Sequence, residues 1–143
     1  MDSDTIHLLG DCTAGITRTV STIDHLLPVI KDRSLRQRLQ TSRDDHQHLH
    51  QYACRLLDQY GGQEKRPGSL ARNADRLRAM THMAIRGDDM TAAGLICGSC
   101  DAGVRTLSRS SNRYCMADPD AIHLTQELIR CEEGLSATLR PYL

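Results

Sequence analysis

At 143 residues the chain falls in the size range of one domain and can bury a core without metal or disulfide staples. Lys plus Arg and Asp plus Glu both total 18, and the resulting zero net charge speaks against a nucleic-acid surface, because phosphate binding needs a basic excess. No apolar run approaches the roughly 18 residues that a membrane span needs.

The opening MDSDTIHLLG is acidic where a secretory leader would be basic, so a cytoplasmic protein is expected. Six cysteines in that setting read as free thiols or metal ligands. With no Trp and no Phe, the core must come from Leu, Ile, Val, Ala and Met, a palette that suits closely packed helices.

The first predicted helix runs from Asp4 to about Lys31, with Ile6, Leu9, Ile16, Val20, Ile23, Leu27 and Ile30 on one face. Pro28 removes an amide inside it and predicts a bend. Ser34 with Gln37 matches the S-x-x-Q capping box and starts a second helix that ends at Gly61-Gly62. Its stripe of Leu35, Leu39, Ser42, His46, Leu49, Ala53, Leu56 and Tyr60 steps by fours and threes, so it needs partner helices to cover it.

Gln63 to Gly68 is a polar loop. A third, shorter helix follows from Ser69 to Arg86, with Leu70, Ala74, Leu77, Met80 or Thr81, and Ala84 inward. Gly87-Asp88-Asp89 breaks it and starts a fourth from about Met90 to Arg113, carrying Ala93, Cys97, Cys100, Val104 and Leu107 inward. Asp118-Pro119 opens the last helix, which stops before Pro141. No segment alternates with period two. Two tight hairpins joined by a crossover that contains a helix make an all-α, single-domain, ferritin-like four-helix bundle.

The run IKDRSLRQRL, the helix ending in GG, the GSL restart and the GDD break resemble an uncharacterised bacterial family of small ferritin-like helical bundle proteins, from about Leu8 to Leu139. That resemblance implies a ferritin-like bundle, often without the full di-iron ligand set. Di-iron members of the superfamily use a Glu from two helices and Glu-x-x-His from the other two. Here the first helix has no Glu. Asp45-x-x-His48 turns away from the apolar stripe, and Glu127-x-x-Arg130 has arginine in the histidine position. A di-iron oxidase is therefore not expected, and an enzyme is the weaker class.

One interior cluster carries potential chemistry. His46, Cys100 and Glu132 each lie about 15 residues from the same end of the bundle, with Cys97 one turn higher, so all four should reach one level near its middle. A histidine, two thiols and a carboxylate suit zinc, with copper or iron as the other candidates and Cys12 as a further donor. The plainer reading pairs Glu132 with His46 or an arginine and leaves Cys97 and Cys100 as small hydrophobes.

Cys97-Gly98-Ser99-Cys100 has the spacing of a redox pair, but mid-helix with no strand before it dithiol exchange is not expected. His46, His50 and Cys54 form a weaker trio along the second helix. Met80, Met83 and Met90 read as core fillers. The function expected overall is a structural or protein-interaction bundle, pairing as a homodimer through apolar residues of the short helix, with no nucleic-acid or membrane partner. The alternative is a metal-binding or storage bundle.

Overall fold

The computed structural model describes residues 2–65 and 70–143, with the side chains of 70–72 left aside. Its helices are α1 (Asp2–Leu26), α2 (Arg33–Gln59), α3 (Leu70–Arg86), α4 (Asp89–Arg113) and α5 (Pro119–Leu139), and no strand occurs among the described residues. Among the described residues no helix is long and apolar enough to cross a membrane. Ser69 and the second half of the predicted polar loop lie outside the described residues, as does the side chain of Leu70.

The first helix does not bend at Pro28 as the sequence suggests. It ends at Leu26, and Leu27–Val29 form one 3-10 turn before Ile30 becomes extended. The turn lets proline sit where its missing amide costs nothing. The second helix starts one residue before Ser34, capped by Asp32, whose carboxylate accepts from the Leu35 amide at 2.7 Å. Ser34 instead accepts a hydrogen bond from the Tyr142 hydroxyl at 3.0 Å. Asp32→Ala should therefore cost about 1 kcal/mol in a urea melt and Ser34→Ala a few tenths. The reverse order would restore the Ser34 box.

The end of α2 follows the glycines. Gly61 takes φ +68, its amide bonds Asp58 O at 3.2 Å, and the Gly62 amide bonds Leu57 O at 2.9 Å, which together make a Schellman motif. Caps at Asp88 and Asp118 begin α4 and α5, each side chain accepting a backbone amide.

Polar contacts between helices set their directions. Asp89 takes the amides of Lys31 (2.9 Å) and Asp32 (2.7 Å), so α1 ends where α4 begins. At the opposite end, Asp118 N donates to Thr5 Oγ1 at 2.8 Å, so α5 begins beside the start of α1. The order is thus up, down, down, up, with α3 returning along the outside against α1 and α4. Leu77 and Ala84 of α3 are buried. Ala74, expected inward, is exposed, because only the flank facing α1 and α4 is covered.

The core is layered. Ile23, Leu26, Leu35, Leu39, Ala93, Ile96, Leu135 and Leu139 fill the end near the 3-10 turn. Cys12, Ile16, Leu107 and Leu128 fill the middle, and Leu8, Leu9, Ala53, Leu56, Leu57, Ala121 and Leu124 the other end. Met83 and Met90, read from sequence as core, are both 53% exposed.

Candidate functional site

Between the first two of these layers lies a polar one, drawn from all four long helices. Thr19 comes from α1, His46 from α2, Cys100 and Gly103 from α4, and Glu132 from α5. His46 and Glu132 are at most 1% exposed. Their placement follows from the helix period that puts each in line with the apolar face of its own helix.

His46 Nδ1 lies 2.7 Å from the Ser42 carbonyl oxygen, which can only accept, so this nitrogen carries a proton. His46 Nε2 meets Glu132 Oε1 at 3.1 Å, and the Thr19 hydroxyl donates to the same oxygen at 2.6 Å. One proton is therefore shared between Nε2 and the carboxyl group. With the Cys100 thiol nearby, Glu132 Oε2 has no conventional hydrogen-bond partner among the described residues. It faces Gly103, where a Cβ would stand 3.9 Å away.

Burial opposes charge on His46, but hydrogen bonds to Cys131 and Glu132 and the negative charge of Glu132 outweigh it and push the imidazole up to about 10. Glu132 is the stronger of the two partners. Cys131 Sγ is 3.6 Å from Nδ1, whose proton already points at Ser42.

Burial also pushes the Cys12 thiol up to about 12, against a 3.3 Å contact with Thr125 Oγ1. The Cys100 thiol rises far above its usual range through burial and the Glu132 charge. A group whose folded value is raised stabilises fully below its unfolded value and loses that contribution as pH climbs. His46 should start the loss above its ordinary 6.5, with Cys12 and Cys100 adding to it above 9.0. Urea midpoints should fall steadily from neutral to alkaline pH, and His46→Leu/Glu132→Leu should remove the first part of the fall. A flat profile through that range would show that the pair does not hold its proton.

The sequence-predicted set of His46, Cys97, Cys100 and Glu132 is brought together only in part. His46 and Glu132 touch, and Cys100 lies close enough to feel the Glu132 charge. Cys97 turns away to the Ser136 carbonyl at 3.5 Å. Cys12 sits in the adjacent layer beside Thr125. Among the described residues no three of these offer donor atoms within 4.8 Å of one another. The Cys97–Cys100 pair lies within α4, without a helix N-terminus to activate it.

A di-iron centre does not fit this interior. Among the described buried residues Glu132 is the single carboxylate and His46 the single imidazole, and Asp45 and His48 face solvent. Nor is His46 a base for Cys131. That thiol lines a groove between α2 and α5 of about 570 Å³, but the nitrogen nearest it is already protonated.

Sequence reasoning missed Thr19, Cys131 and Glu64. Thr19 stands on the apolar face of α1 between Ile16 and Ile23 but was passed over as a hydroxyl. Cys131 stands at the edge of the apolar face of α5, and Glu64 sits in a loop with no period to read. Glu64 Oε1 meets His50 Nε2 at 2.6 Å, and Cys54 lies beside both. The expected trio of His46, His50 and Cys54 is thus replaced, since His46 points inward and Glu64 completes the group. No protein-family model, curated protein or solved structure matches this chain.

Proposed function

We propose that this chain is a ferritin-like bundle without a di-iron centre, serving as a structural or protein-interaction module that pairs as a homodimer. The observation that carries the reading is the interior itself. Where a ferritin-type plan gathers carboxylates around metal, one imidazole and one carboxylate hold each other, and both ring nitrogens are engaged. The up, down, down, up order with a helix in the crossover supports the same plan.

The interaction surface is one end of the bundle. Met83 and Ile85 in the last turn of α3, Met90 in the first turn of α4, and Leu143 beside Gly94 are all more than half exposed. A second copy is the favoured occupant, because a chain of zero net charge meets no electrostatic barrier to self-association. Sedimentation equilibrium should give a concentration-dependent dimer that Met83→Glu with Met90→Glu returns to monomer. A wild-type monomer at all concentrations would overturn the pairing, and iron-dependent oxidation by the purified protein would overturn the non-enzymatic reading.

A further inference from the structure

We propose that His50, Cys54 and Glu64 form a zinc site on the outer surface of α2, separate from the buried layer and independent of dimer formation. His50 and Cys54 are one turn apart on α2, so their side chains share a face. The chain then turns through Gly61-Gly62 and brings Glu64 back over that face. His50 Nε2 to Glu64 Oε1 is 2.6 Å, Cys54 Sγ to His50 Nε2 is 3.9 Å, and Cys54 Sγ to Glu64 Oε2 is 4.0 Å. Among the described residues this is the one group of three or more potential ligands whose donor atoms all fall within 4.8 Å.

These separations are close to the edges of a zinc tetrahedron. Ordinary Zn–N, Zn–O and Zn–S bonds require an N···O edge of about 3.4 Å and S···N and S···O edges of about 3.6 Å. His50 and Cys54 meet opposite oxygens of Glu64, so binding through one oxygen also turns the carboxylate, a rotamer adjustment for partly exposed side chains. The mixed nitrogen, sulfur and oxygen set favours zinc over magnesium or calcium, which want oxygen alone.

The third ligand is not left to chance. Its neighbour Lys65 is fastened to α1 at both ends. The Lys65 amide donates to Thr13 Oγ1 at 3.2 Å, the Thr13 hydroxyl itself donating chiefly to Gly10 O at 2.9 Å with Lys65 O at 3.3 Å, and Lys65 Nζ pairs with Asp11 at 2.8 Å. Gly10 makes the close approach possible, because a Cβ there would stand 3.3 Å from Lys65 Cβ. The ligand-bearing loop is thereby held against the helix before any ion arrives. His50 and Glu64 side chains are 29% and 44% exposed, so the fourth position opens to water. This is the arrangement of an exchangeable site.

On binding, the Cys54 S–H bond breaks, a Zn–S bond forms, and that proton leaves to solvent. The proton lying between His50 Nε2 and Glu64 Oε1 also leaves that contact, the ring keeping one proton on Nδ1, so that Nε2 offers its lone pair and Glu64 binds as carboxylate. No electron is transferred.

The test titrates cobalt(II), a spectroscopic stand-in for zinc, into the full-length untagged chain. A thiolate-to-cobalt charge-transfer band is expected, saturating at one ion per chain and bleached by zinc. Cys54→Ser and Glu64→Gln should each lose it at the same cobalt concentration while keeping the helical circular dichroism of the parent. Cys100→Ser and Cys131→Ser should retain it. Absence of the band in the parent, or its survival in Cys54→Ser, would overturn the site, whatever the sedimentation result.

Discussion

Replacing Glu132 by Ala is expected to cost about 3–5 kcal/mol, because the buried imidazole loses its counter-charge, must give up its proton and keeps an Nε2 with no partner. The same loss should not appear when both partners go. In His46→Leu/Glu132→Leu two apolar side chains of similar bulk meet between layers that are already apolar, and such exchanges of buried pairs are neutral or stabilising. Thr19 would lose its acceptor, but its hydroxyl can turn to a carbonyl four residues back, as Thr22 does to Arg18 O at 2.9 Å. The measurement is a urea double-mutant cycle. If the double variant is as unstable as Glu132→Ala, the layer is more than a self-satisfied pair, and the oxygen facing Gly103 is being used.

Leu128→Ala should have an effect of similar size for a different reason. Leu128 is fully buried and packs in the same cluster as Cys12, Ile16 and Leu107, a small middle layer one helical turn from Glu132. Truncation leaves a cavity that four helices cannot easily collapse into, at about 3–5 kcal/mol. Leu143→Ala, at 56% exposure, is the control and should stay within about 0.5 kcal/mol in a monomeric background. A loss below about 1 kcal/mol for Leu128→Ala would mean that the middle layer is loosely packed.

Much of the fold was legible because its boundaries are chemical. Asp118-Pro119, Gly61-Gly62 and the Asp88 cap act through local backbone geometry, and local geometry is written in adjacent residues. The start of α2 was misread at Ser34 for a tertiary reason. Asp32 and Ser34 are both competent caps, and the choice falls to Asp32 where Asp89, remote in the chain, seizes the amides of Lys31 and Asp32 and ends the preceding turn.

In the candidate site, helical period correctly turned His46 and Glu132 inward, and level counting brought them to one height. It could not place Cys97, because which neighbour a thiol meets depends on its rotamer and on Ser136 of another helix. Met83 and Met90 were misjudged for a related reason. Hydrophobic character says that a side chain can be buried, while the number of covering helices decides whether it is, and among the described residues nothing covers the outside of α3 at Met83 or the start of α4 at Met90.

The one-sided position of α3 bears on how the molecule breathes. Among the described residues it contributes Leu77 and Ala84 as buried apolar side chains, whereas each of the four long helices is locked into several layers. Opening should therefore begin by this segment peeling from the backs of α1 and α4 as a unit, with the remaining quartet still closed. The fluctuating face of the protein is then the α1–α4 side that α3 covers, while the opposite side, where α2 meets α5, stays closed.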